Sequence, residues 1–117
     1  MTTSYQEFVS AKMAGTMAGS IDSDLPLNGQ LFDYQRVIVR WALRKGRAAV
    51  FADCGLGKTF VQLEWARVIT ESIENAAVLI LCPLAVAQQT CDEAERFGID
   101  IRYLRKDDRQ SGIIITN

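Results

Sequence analysis

At 117 residues the chain has room for one domain with a single core. An apolar content of 49% and a charged content of 23% are those of an ordinary globular protein, and a net charge of −1 provides no bulk basic field, so any nucleic-acid contact must rest on a local face. No apolar run approaches transmembrane length, the N-terminus lacks the basic and apolar regions of a signal peptide, and three cysteines without a histidine or a C-x-x-C argue against a zinc site and a disulfide framework, so a cytosolic protein is expected.

The first element is announced by Ser4-Tyr5-Gln6-Glu7, which has the S-x-x-E form of a capping box. Tyr5, Phe8, Val9 and Met13 then recur at helical spacing and predict a short helix through about Ala14. Residues 15 to 30, with Gly15, Gly19, Pro26 and Gly29, read as a loop. Asp33 is placed to cap the next helix, on which Tyr34, Val37, Ile38 and Trp41 share a face; Arg44 and Lys45 suit its last turn and Gly46 its stop. Ala48 to Ala52 reads as a short buried strand, and Lys58 to about Glu71 as a helix packed through Val61, Trp65, Val68 and Ile69. The continuous apolar run from Ala76 to Cys82 suits a strand covered on both faces of a parallel sheet, with Pro83 ending it. A helix over Leu84 to Phe97 with Gly98 as its stop, a strand over Ile99 to Leu104, a charged turn over Arg105 to Ser111 and a strand over Gly112 to Thr116 complete the reading. Strands alternating with helices predict an α/β fold with a parallel sheet.

Between the first predicted strand and its helix lies the stretch that carries chemistry. Residues 52 to 59 read A-x-x-x-x-G-K-T, the phosphate-binding-loop pattern with Ala in place of the first Gly. Gly55 and Gly57 allow the backbone angles that turn successive N–H groups inward around a phosphate, and the helix that follows adds its positive dipole end. Lys58 is long enough to reach the β/γ-phosphates, and the Thr59 hydroxyl can ligate Mg²⁺. A glycine-rich turn with a surface lysine is the bland alternative. Cys54 lies inside this loop, where a helix N-terminus lowers a thiol pKa, but a small tolerated loop residue explains it as well. Cys82 lies in an apolar run and reads as core.

Several stretches together resemble one family, the superfamily 2 helicases, nearest the Swi/Snf-type translocases and their phage or DEAD/DEAH-type relatives. Leu31-Phe32-Asp33-Tyr34-Gln35 with Trp41 is similar to their L-x-x-Y-Q…W adenine-recognition segment. Ala52-Asp53-Cys54-Gly55-Leu56-Gly57-Lys58-Thr59 resembles their motif I, D-E-x-G-L-G-K-T, and Leu81-Cys82-Pro83-Leu84-Ala85-Val86 their motif Ia. Gly112 to Asn117 resembles the start of the strand that carries motif Ib. The resemblance covers residues 31 to 117, with residues 1 to 30 as an N-terminal helix and loop. It implies the N-terminal portion of a P-loop NTPase (RecA-like) lobe, an incomplete parallel sheet flanked by helices. It further implies ATP and Mg²⁺ bound through Tyr34, Gln35, Asp53, Cys54, Gly55, Leu56, Gly57, Lys58 and Thr59, with Thr59 on the metal. Pro83, Leu84 and Ala85 would meet nucleic acid, with double-stranded DNA favoured, and the setting would be bacterial or phage-encoded.

The chemistry of the residues agrees with parts of that assignment. A glutamine amide donates and accepts at once, which suits the N6 and N7 edge of adenine, so Gln35 is the candidate base reader with Phe32 or Tyr34 packing beside the ring. Against this stands an exposed Gln35 and a core Tyr34. Pro83 to Ala85, at a strand end turning into a helix, offers N–H groups to a nucleic-acid phosphate, or is a plain strand terminator. The chain departs from the family at Ala52 and Asp53, where two acidic residues are usual, and at Cys54, where Met is common. A D-E-x-H/D motif II, motif III and the second lobe with its arginine finger do not follow, and Asp92, Glu93, Asp107 and Asp108 read as solvated charges. The expectation is therefore the ATP-binding part of a helicase or translocase, an enzyme by family whose 117 residues alone do not turn over and which needs its remainder or a partner chain. The alternative is a stand-alone nucleotide- or nucleic-acid-binding regulatory module without hydrolysis. A small P-loop kinase is the third reading, weakened because L-x-x-Y-Q has no role there.

Overall fold

The computed structural model describes residues 5–7, 21, 25–52, 55–104 and 111–117. Their elements are α1 (Asp33–Lys45), α2 (Lys58–Ser72), β1 (Ala77–Leu81), α3 (Leu84–Arg96), β2 (Ile101–Tyr103) and β3 (Gly112–Thr116). Residues 5–7 are helical as well; the rest of the predicted first helix and the charged turn over 105–110 lie outside the described residues.

The strands form a parallel sheet in the order β1-β3-β2, with Ile113 paired to Val78 on one side and Ile101 on the other, and Ile115 likewise between Ile80 and Tyr103. The fold is thus a small α/β arrangement of a three-stranded parallel sheet flanked by helices. Alternation places Val78, Ile80, Ile113 and Ile115 on one face, and there they meet Leu63 and Ala66 of α2 and Ala87 and Ala94 of α3 in the main core. A second cluster joins Val39 and Leu43 of α1 to Val61 and Val68 of α2, with Leu25 and Leu27 packed against it. Each fully buried branched side chain in these clusters contributes about 1.5–3 kcal/mol.

Four sequence expectations need correction. Phe32 is the residue before α1 (φ −71°, ψ 160°), so Asp33 opens the helix rather than caps it; the Phe32 N–H donates to Gln35 Oε1 at 2.8 Å, half of a capping box. The buried face of α1 is Gln35, Val39, Ala42 and Leu43, whereas Tyr34, Val37 and Trp41 are exposed. β1 is covered on one face only, because α2 and α3 pack on the same side; Leu79 and Leu81 on the other are 55% and 69% exposed.

The fourth correction concerns Ala48 to Ala52, which is no strand among the described residues. A strand exists through a partner's N–H and C=O groups, and the ladder runs only between β1, β3 and β2. The alternation survives without the ladder. Ala48, Val50 and Ala52 line a cavity of about 360 Å³ with Ile38 and Ala42 of α1 and Trp65 of α2, while Phe51 on the opposite side is 97% exposed.

Candidate functional site

The turn into α2 is built by glycine. Gly55 has φ 84° and Gly57, the residue before α2, has φ 69° and ψ 38°, both in the left-handed region that costs other residues strain. Gly57 carries a second constraint, since a β-carbon there would run into Gln35 Nε2. The first helical bond, from Val61 N–H to Gly57 O at 3.2 Å, starts directly after it. α2 has no side-chain cap and no carboxylate in its first turn, so among the described residues no carboxylate of its own first turn offsets its dipole. Lys58 is exposed at this end, and Thr59 is half-buried beside it.

Two side chains of α1 hold the loop from behind. The Tyr34 hydroxyl donates to Leu56 O at 3.1 Å, and Gln35 Nε2 donates to Gly57 O at 3.4 Å. These are consecutive carbonyls. No peptide bond among the described residues is cis, and in a trans peptide the N–H points opposite to its C=O. Drawing the carbonyls of Leu56 and Gly57 toward α1 therefore turns the N–H groups of Gly57 and Lys58 away from it. Gln35 is only 3% exposed, with one oxygen lone pair on Phe32 N–H and one amide hydrogen on the loop. It retains one donor and one acceptor position. Phe32 and Tyr34 lie as parallel exposed rings 6.0 Å apart at the same end of α1. Both earlier alternatives for these residues, an exposed Gln35 and a core Tyr34, differ from this arrangement.

Asp53 and Cys54 lie outside the described residues. The structure brings Tyr34, Gln35, Leu56, Gly57 and Lys58 together. The tether between α1 and the loop escaped the sequence reading; its only trace was Gln at the third helical position, where it can reach back to the chain before the helix.

Pro83 precedes α3 at φ −58°, with its carbonyl accepting from Val86 N–H at 2.9 Å and Ala87 N–H at 3.2 Å; Leu84 and Ala85 are exposed. α2 leads through a short turn into β1 and packs on it, so the two run antiparallel. The start of α2 and the Pro83 turn consequently share the carboxyl edge of the sheet, where Tyr103 also donates to Asn117 Oδ1 at 2.6 Å. Asp92 is exposed and accepts from Gln88, as a solvated charge does.

The frame behind the site is polar at one point. Glu64 of α2 is fully buried and accepts from Arg67 Nε and from Asn28 N–H. Arg67 continues to Glu71 at 2.7 Å and to Pro26 O at 3.0 Å, and Asn28 Nδ2 donates to Phe97 O at 3.3 Å. The Glu64 hydrogen bond, above all, raises the Arg67 pKa against the opposing effect of burial. Cys91 and Cys82 are half-buried against the main core, and burial pushes the Cys91 thiol up, assisted by Asp92 and Cys82.

No protein-family model, curated protein or solved structure matches the chain. No described helix is long and apolar enough to cross a membrane.

Proposed function

We propose that this chain is the ATP-binding portion of a superfamily 2 DNA helicase or translocase, built on part of a RecA-like P-loop lobe. The observation that carries the reading is the pair of bonds from Tyr34 and Gln35 to the consecutive carbonyls of Leu56 and Gly57. They join the L-x-x-Y-Q segment to motif I, so that one site has aromatic rings and an amide at one end and a glycine turn with a lysine at the other. Lys58 would meet the β/γ-phosphates and the N–H groups of Gly57 and Lys58 would cradle them. Mg²⁺ would be held by Thr59 Oγ1 together with phosphate oxygens. That fits a metal brought by the nucleotide, since no described cluster of acidic, cysteine or histidine side chains could hold one alone. The exposed turn at Pro83, on the same edge of the sheet, is the proposed contact to double-stranded DNA.

Base selectivity tests the join. Mg-ATP is expected to bind more tightly than Mg-GTP, and Gln35→Ala to narrow the difference while keeping most phosphate affinity. Equal affinities for the two nucleotides in the unsubstituted chain would remove the adenine assignment.

A further inference from the structure

Residues 25–32, ahead of α1, form no helix or strand, yet side chains of α1 and α2 hold them almost residue by residue. Leu25 O accepts from Arg40 at 2.8 Å, Pro26 O from Arg67 at 3.0 Å and Gly29 O from Arg36 at 3.2 Å. Leu25 and Leu27 pack on the apolar cluster that α1 and α2 share. A surface connection commonly leaves its backbone groups to water. Here they go to the two helices that carry the candidate site.

Asn28 is the centre of this arrangement. Its N–H donates to the fully buried Glu64 of α2, and its carbonyl accepts from Leu31 N–H at 3.2 Å, closing the turn that leads into α1. Its side chain is engaged at both atoms. Oδ1 accepts from Gln30 N–H at 2.9 Å, the local turn that Asn forms readily, and Nδ2 donates to Phe97 O at 3.3 Å, just past α3.

A buried carboxylate gains its fold little over an apolar side chain, because desolvation offsets most of the attraction to its partner. What Glu64 provides is position. It lies seven residues after Gly57, about 10 Å further along α2. Gln35 ties α1 to Gly57, and Asn28 ties the turn into α1 to Glu64, so the entry of α1 is held to α2 at two points. One point would leave α1 free to pivot about it. Two fix its angle, and with it the distance from the Phe32 and Tyr34 rings to Lys58.

We infer that Asn28 is a positioning residue for the base end of the proposed nucleotide site, acting through Glu64 on one side and the turn into α1 on the other. This role rests on the nucleotide reading, and it belongs to a residue outside both the L-x-x-Y-Q segment and motif I.

The test compares Mg-ATP with Mg-tripolyphosphate, which carries the phosphates without a base, on the full 117-residue chain. Asn28→Ala removes the bonds to Gln30 and Phe97, whereas Asn28→Ser keeps an oxygen for the Gln30 N–H. Asn28→Ala is expected to weaken Mg-ATP about tenfold while Mg-tripolyphosphate stays within about twofold, and Asn28→Ser to recover part of the loss. A residue that only supports the fold would weaken both probes alike. Equal losses for the two probes in both variants, no loss in either variant, or an unsubstituted chain that binds the two probes equally well overturns the positioning role and leaves the phosphate site standing. An unsubstituted chain that binds neither probe overturns the nucleotide reading itself, and the role with it.

Discussion

At Gly57 the backbone sits at φ 69° and a β-carbon would meet the Gln35 amide, so strain and collision act together. Gly57→Ala is expected to displace the loop and weaken nucleotide binding at least about tenfold, a loss of about 1.4 kcal/mol. Adding Gln35→Ala removes the collision and leaves the strain, so the double variant should recover only part of the affinity; full recovery in a fluorescence titration would mean the φ constraint is immaterial. Glu64 makes a separate prediction. Replacing this buried carboxylate with Ala leaves Arg67 Nε and Asn28 N–H without the acceptor they share, a cost of about 2–4 kcal/mol, whereas Glu64→Gln keeps an acceptor and loses less. Chemical denaturation orders the three proteins and contradicts this account if Ala and Gln cost the same. The glycine turn was legible because the G-x-G spacing calls for backbone angles that Gly55 and Gly57 adopt. Gln35 was singled out as a candidate base reader, but its burial was not legible, since helical spacing alone does not say which face meets the loop. The burial of Glu64 left no trace in the sequence, because its pairing with Arg67 three residues on is that of any helix surface and its other partner, Asn28, comes from a loop 36 residues away.

At the scale of elements the helices followed their punctuation closely, with Gly46 and Gly98 at positive φ after α1 and α3. The sheet was less legible. Apolar runs mark strand candidates without naming their partners, and so Ala48 to Ala52 reads as a strand while standing outside the ladder. Hydrogen exchange separates the two kinds of segment. The amides of Ile113 to Ile115, between two paired neighbours, should exchange slowest in the chain, and those of Ala48 to Ala52 should exchange near the rate of an open loop. Comparable protection of the two segments would show that 48–52 has a partner strand after all.

For the molecule as a whole, three features point the same way: the outward Leu79 and Leu81, the bare Phe51, and the segment 48–52 with no ladder. Full burial of such a side chain is worth about 1.5–3 kcal/mol, a sizeable share of the roughly 5–15 kcal/mol that stabilises a domain. The chain on its own is expected to be marginally stable, to self-associate, or to gain stability from a partner that covers this face and completes the sheet. Light scattering over a range of concentrations should show mass rising with concentration, and a concentration-independent monomer with a high, cooperative melting transition would refute the expectation. On the proposed reading hydrolysis should be absent, since catalysis of phosphoryl transfer needs a carboxylate placed to activate water as well as the proposed cradle. The central claim is that the turn from Gly55 to Thr59 is a nucleotide site, and calorimetry of Mg-ATP with the unsubstituted chain and with Lys58→Ala tests it most directly. A saturable heat that vanishes in Lys58→Ala is the expected result; equal affinity for both proteins would contradict it.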